Sequence, residues 1–130
     1  MRNPPLILCI DDNKTIILFL VALLSRNGFQ TVTAYDGLEG LEKMRKYQPD
    51  LTLLDINMPK LTGFDVALAA ANDPLLKNIP IIILSALSQA NNKERIELKN
   101  IYSYLTKPVN TSQFLLTIQS ALSNTKASHA

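Results

Sequence analysis

Several features are scarce in this 130-residue chain, and each scarcity excludes a class of protein. There is one cysteine, Cys9, so an intramolecular disulfide cannot form, and nothing in the sequence indicates secretion. The longest apolar run, Ile16 to Leu24, is about half the length that crosses a bilayer. The formal net charge of +2 is small and spread along the chain, which does not favour nucleic acid as a partner. We therefore expect a cytoplasmic protein that neither inserts into membranes nor binds nucleic acid directly.

What the chain does have is a regular alternation of apolar runs and helical segments. The pattern predicts strands over 6–10, 29–34, 50–54, 81–84 and 101–105. It predicts helices over 14–27, from 36 or 37 onward, and over 63–72, 89–99 and 111–123. The strands are continuously apolar, which indicates a parallel sheet covered by helices on both faces. We expect one domain over residues 1–124 and a flexible tail over 125–130.

Polar side chains stand at the carboxyl ends of the predicted strands. They are Asp11, Asp12, Asp55, Ser85 and Lys107. In open α/β sheets, ligands bind beyond these ends, where the strand order switches. Each residue alone has an ordinary alternative role, such as a helix cap or a turn residue. Their coincidence at one edge of the sheet is what indicates a functional site.

The residue types at this edge suit phosphoryl transfer. Three nearby carboxylates repel one another unless a cation lies among them, and Mg²⁺ or Mn²⁺ prefers oxygen ligands. An aspartate beside such an ion can act as a nucleophile towards phosphorus. Lys107 and Ser85 would then stabilise the charge of the transferred group.

These motifs resemble those of the receiver domain of two-component response regulators, over nearly the full length of the chain. The resemblance rests on Asp11-Asp12, on DINMPKLTG at 55–63, on LSA at 84–86 and on YLTKP at 104–108. It implies a doubly wound (βα)5 flavodoxin-like sandwich. The five-stranded parallel sheet of such a sandwich has the strand order 2-1-3-4-5.

The resemblance also implies roles for single residues. Asp55 would accept phosphate from a histidine kinase or a histidine phosphotransfer protein. Asp12 would bind Mg²⁺ directly and Asp11 mainly through water, with Asp55 and the main-chain carbonyl of Asn57 as further ligands. The residues expected around the phosphate or in the switch are Ser85, Ala86, Lys107 and Tyr104. The peptide bond between Lys107 and Pro108 is expected to be cis.

The resemblance further implies how phosphorylation would be read. Ser85 would move towards the phosphate and Tyr104 would rotate inward behind it. The changed surface would be the face of the predicted helix 89–99, the fifth strand and the last helix, where a downstream protein would bind. Such a protein is a signalling protein and not an enzyme, although it assists its own phosphorylation and dephosphorylation. The chain departs from the family at Asn100, where glycine is common, and at Leu87, an apolar residue near the phosphate.

The first helix is apolar all the way round, which is more than one sheet face requires. We predict that Ile16, Phe19, Leu20 and Leu23 face the core. Ile17, Leu18 and Val21 would then point away. They would be tolerated surface residues, residues covered by the last helix, or a docking patch beside the site. A phosphodonor would bind this patch, or the chain would form a homodimer through it.

Alternative functions for these residues fall into three classes. A haloacid dehalogenase would need an acid at position 57, where this chain has Asn57. A flavodoxin-like cofactor binder would need a loop rich in Ser, Thr and Gly after the first strand, where two acids stand instead. A receiver that acts by protein contact without phosphorylation remains open. We expect no output domain after residue 124; the alternative is a domain excised from a hybrid kinase.

Overall fold

A five-stranded sheet forms the centre of the protein, whose computed structural model describes residues 1–86 and 98–128. The elements in chain order are β1 (Leu6–Ile10), α1 (Lys14–Arg26), β2 (Gln30–Ala34), α2 (Gly37–Tyr47), β3 (Leu51–Asp55), α3 (Gly63–Ala71), β4 (Ile81–Ala86), β5 (Ile101–Lys107) and α4 (Thr111–Ser128).

All strand pairs in this sheet are parallel, and the strand order is β2-β1-β3-β4-β5. This confirms the predicted doubly wound fold. The chain winds outward from β1 to β2 and then returns to the other side of β1 as β3. The order therefore switches between β1 and β3, where Ile10 lies opposite Leu54.

The core consists of two layers, one on each face of the sheet. Alternate strand residues such as Leu8 and Ile83 pack towards α2 and α3, in the layer that also contains Met44 and Val66. Their neighbours pack towards α1 and α4, around the fully buried ring of Phe114. Because both faces are covered, every residue of β1 and β3 is buried, which explains why both strands are apolar apart from Thr52 and Asp55.

Several element boundaries differ from the prediction. Asp55 is the last residue of β3 and Ser85 lies within β4, since ladder pairing continues beyond the apolar runs. The last helix continues to Ser128, through most of the segment predicted to be a flexible tail. Lys126 and Ala127 favour helix, so the periodic apolar pattern ends before the helix does. The predicted helix 89–99 lies largely outside the described residues, as does Leu87.

The prediction for the inward face of α1 was correct for Leu20 and wrong for Phe19. Ile17, Leu20 and Leu24 are the buried residues of this helix, whereas Phe19 is 50% exposed. Ile16 and Leu23 are only partly buried. An apolar sequence on every side of a helix carries no information about which side faces the sheet. Within the described part of the chain, no helix is long and apolar enough to cross a membrane.

Candidate functional site

The ends of β1 and β3 bring three carboxylates together. Asp11 and Asp12 directly follow β1, and Asp55 ends the adjacent strand β3. One oxygen from each carboxylate lies within 4.8 Å of the others, with Asp11 and Asp55 buried and Asp12 exposed. The loop is held by Asn13, whose main-chain N–H donates to Asp11 Oδ1 over 2.9 Å and whose side chain caps α1.

Lys107 joins this cluster from the end of β5. Its Nζ donates to Asp55 Oδ1 over 2.7 Å and to Asp11 Oδ2 over 3.1 Å. These are charge-assisted contacts in a site where the lysine side chain is only 22% exposed. The peptide bond from Lys107 to Pro108 is cis. One ammonium group therefore bridges two buried carboxylates that come from different strands.

Burial and the contacts of Lys107 with the carboxylates shift the pKa values of this cluster. Burial raises the pKa of Asp55 and the charge of Asp11 raises it further, while hydrogen bonds from Lys107 and from the Asn57 main chain oppose the shift. Burial acts to lower the pKa of Lys107, but its hydrogen bonds to Asp55 and Asp11 and their charges outweigh it, so that pKa is raised. The lysine is thus held in its charged form.

The donor set of the cluster fits a hard divalent cation. All three side chains offer carboxylate oxygens, the ligands that Mg²⁺ prefers. When ionised, the three carboxylates carry more negative charge than the single ammonium of Lys107 can neutralise. A divalent cation would compensate that excess, so the residues present fit Mg²⁺ or Mn²⁺.

The strand pairing places the remaining predicted residues around Asp55. Asp55 lies opposite Leu84, so Ser85 comes one residue further along β4 and is buried, at 2% exposure. Ala86 is exposed and lies opposite Lys107. The predicted site residues of β1, β3, β4 and β5 therefore share one edge of the sheet.

An irregularity in β5 determines the face of the sheet on which Tyr104 packs. The partners of Ile81 and Ile82 are Ile101 and Ser103, so Tyr102 is an extra residue in the ladder. Such a bulge shifts the alternation of side chains by one position. As a result Tyr104 packs on the α3 side of the sheet, whereas Tyr102 packs on the α4 side.

The loop after Asp55 is closely packed, and its end at Gly63 lies against the end of β3. Gly63 N–H donates to Ile56 O over 2.9 Å, and a Cβ on Gly63 would lie 2.5 Å from Asp55 O. Only glycine therefore fits here. Lys60, in the middle of this loop, has a positive φ of 72°, which L side chains adopt rarely.

Only part of the predicted docking patch is on the surface. Leu18 is 71% exposed and Val21 is partly buried, but Ile17 is 2% exposed and belongs to the core. An open cleft of about 530 Å³ separates the start of α1 from residues 107–109. Phe19 lines this cleft on the α1 side and Lys107 lines it at the site.

Sequence reasoning missed two aromatic contacts near the site. Lys14 Nζ lies 5.8 Å from the ring centroid of Tyr35, and the ring centroids of Phe64 and Tyr104 are 6.3 Å apart. Phe64 directly follows the glycine of the motif at 55–63, but no local pattern links it to a residue 40 positions away.

Comparisons with known proteins agree with this geometry. The sequence profile of the response regulator receiver domain matches residues 7–119. The polar-differentiation response regulator DivK of Brucella anthropi is 31% identical over 119 residues, covering 92% of this chain and 97% of that protein. A response regulator receiver domain protein from Clostridium thermocellum superposes with a TM-score of 0.86 at 28% identity, covering 95% and 98% of the two chains. The chemotaxis response regulator CheY4 of Vibrio cholerae gives 0.81 at 30% identity, covering 90% and 98%.

Proposed function

Because this chain belongs to the receiver domain family of response regulators, we propose that it is a phosphoacceptor whose Asp55 receives a phosphoryl group from a phosphohistidine. The observation that carries this proposal is the bridge from Lys107 to Asp55 and Asp11, beside the carboxylate of Asp12. Receiver domains are signalling domains and not enzymes in the ordinary sense. The donor would be a histidine kinase or a histidine phosphotransfer protein.

The transfer makes one bond and breaks another. A carboxylate oxygen of Asp55 bonds to phosphorus while the P–N bond of the phosphohistidine breaks, and the imidazole leaves with that electron pair. Lys107 stands 2.7 Å from Asp55 Oδ1 and supplies positive charge where the phosphoryl oxygens arrive. Two carboxylates hold this ammonium next to the nucleophile.

Asp11, Asp12 and Asp55 would hold Mg²⁺ or Mn²⁺ beside the reacting group, together with the main-chain carbonyl of Asn57. When bound, such an ion supplies positive charge to the phosphoryl oxygens. The protein residues place that charge next to the nucleophile.

Phosphorylation would be read out through Ser85 and Tyr104. Ser85 would bond to the phosphate, and Tyr104 would fill the space behind it, so that a small shift changes an outer surface. A downstream protein would bind that surface, which includes β5 and α4. The predicted helix 89–99, also assigned to this surface, lies largely outside the described residues.

The phosphodonor would dock on α1 beside the site. Half-exposed Phe19 lines the cleft that leads to Lys107, exposed Leu18 is its neighbour in the chain, and Val21 follows on the same helix. Ile17 does not belong to this patch because it is buried. Self-association through the same surface is the alternative use of these side chains.

The test of the phosphoacceptor is chemical labelling. Wild-type protein treated with acetyl phosphate and Mg²⁺ is expected to gain one phosphoryl mass, and Asp55→Asn is expected to gain none. Asp73→Asn, the same change at an aspartate paired with Arg45 on the surface, should label like wild type. Undiminished labelling of Asp55→Asn would refute the assignment.

An unlabelled wild-type protein would instead favour a receiver that acts by protein contact without phosphorylation. The cytoplasmic location and the alternative of an origin within a hybrid kinase are separate predictions from the sequence.

A further inference from the structure

Phe64, the second residue of α3, contacts the ring of Tyr104 on β5. The ring centroids are 6.3 Å apart and the planes are inclined at 54°. Aromatic pairs attract at such separations and prefer tilted or offset arrangements to face-to-face stacking. Both rings are partly buried and pack against the same core layer. The contact therefore joins the first turn of α3 to the strand that carries the proposed switch.

The same turn of α3 rests on the main chain of the proposed phosphoacceptor. Gly63 N–H donates to Ile56 O over 2.9 Å, and the Cα of Gly63 comes so close to Asp55 O that a Cβ would lie 2.5 Å away. Close-packed groups of this kind cannot move independently. A displacement of the main chain at Asp55 must therefore move Gly63 and, with it, Phe64.

We propose that Phe64 is a positioning residue for Tyr104. It holds the ring of Tyr104 in its resting rotamer and transmits movement from the main chain of Asp55 through the start of α3. This route runs beside the one through Ser85 and reaches Tyr104 through the ring of Phe64. The proposal rests on the proposed function, since Tyr104 acts as a switch only if Asp55 is modified.

The resting state provides the first test. The side-chain rotamers of Tyr104 are measured by scalar couplings in NMR, with its signals identified by their loss in Tyr104→Phe. Phe64→Ala is expected to change the ratio of Tyr104 rotamers roughly two- to tenfold, the range that one ring contact supplies. Phe64→Tyr keeps a ring and should restore the wild-type ratio. Leu68→Ala, one turn along α3 at a residue 47% exposed, should leave it unchanged.

The second test separates the two routes. Beryllofluoride, which imitates a phosphoryl group on a carboxylate, is added to wild type, Ser85→Ala, Phe64→Ala and the double variant. Each single variant is expected to lose part of the Tyr104 response, and the double variant all of it. If Phe64→Ala leaves both the resting rotamers and the response unchanged, or if Ser85→Ala alone removes the whole response, the proposal is overturned.

Failure of the proposed function would look different. A wild type that forms no beryllofluoride adduct at Asp55, judged by the fluorine signal of the bound group, refutes the phosphoacceptor. The resting rotamers of Tyr104 then decide alone whether Phe64 holds the ring. Phe64→Leu removes the ring but keeps most of the apolar volume, and it replaces Phe64→Ala if that variant does not fold.

Discussion

The thiol of Cys9 lies in the middle of β1, and its surroundings determine how it ionises. It is fully buried, and burial, assisted by the charge of Asp11, raises the pKa of Cys9 from 9.0 to about 12. The folded state thus holds the thiol proton more tightly than the unfolded chain does. This contribution to stability is complete below pH 9 and is lost as the pH rises from 9 towards 12, by about 1.4 kcal/mol per pH unit.

We predict that this loss appears in urea unfolding measured between pH 7 and pH 10. The free energy of unfolding of wild type should fall more steeply above pH 9 than that of Cys9→Ala. The variant lacks the thiol but keeps all four tyrosines, so their titration is common to both proteins. If the free energy of unfolding of the two proteins depended on pH in the same way, the thiol would not be held in its neutral form.

The positions of some site residues could be predicted from the sequence because a general rule on parallel sheets applies to them. Asp11, Asp55 and Lys107 follow or end parallel strands, and parallel strands present their carboxyl ends at one edge. The bridge from Lys107 to both carboxylates depends on rotamers and burial, which the sequence does not express. The pair of Phe64 and Tyr104 depends on how a helix and a strand far apart in the chain come together.

Among the elements, α1 shows where pattern reasoning fails. Its existence and length were predicted correctly from Lys14 onward, because Asn13 is an effective cap and Gly28 a stop. The side of α1 that faces the sheet was not predicted correctly, because apolar residues occupy every side of this helix. In the structure, Ile17, Leu20 and Leu24 lie in the core and Leu18 is exposed. This exposed apolar surface is the basis of the proposed docking role.

We predict that the double variant of Leu18→Gln and Phe19→Gln slows phosphoryl transfer from a phosphorylated histidine phosphotransfer domain by about tenfold or more, since two apolar side chains lose their partner. Labelling by acetyl phosphate, which needs no docking surface, should stay unchanged. Leu75→Gln, at a leucine 52% exposed, is the matched control. Equal loss with both donors would mean that the variant damages the site and not docking.

Ile17→Ala provides the complementary measurement on the same helix. Because Ile17 is buried, its truncation should lower the free energy of unfolding by about 2–5 kcal/mol. Leu18→Ala should change it by no more than about 0.5 kcal/mol. Small changes in both variants would instead place Ile17 outside the core, as the sequence predicted.

For the molecule as a whole, folding assembles the carboxylate cluster from residues far apart in the chain. Asp11 and Asp12 come from the end of β1 and Asp55 from the end of β3. The unfolded chain does not hold these groups together, so a cation that binds the cluster stabilises the fold. The two oxygens of Asp11 already accept hydrogen bonds from Asn13 N–H and Lys107, whereas Asp12 is exposed. We therefore expect Asp12, rather than Asp11, to coordinate a cation directly.

We predict that Mg²⁺ raises the free energy of unfolding of wild type, by about 2.7 kcal/mol at a concentration 100 times its Kd. Asp12→Asn should lose more of this increment than Asp11→Asn, and Asp73→Asn should keep it. Without Mg²⁺, Asp12→Asn should be at least as stable as wild type, because one of three like charges is gone. Urea unfolding with and without Mg²⁺ measures all four proteins. If Mg²⁺ still stabilises Asp12→Asn but no longer stabilises Asp11→Asn, Asp11 is the direct ligand and Asp12 is not. The hydrogen bonds of Asp11 would then not prevent it from coordinating the cation.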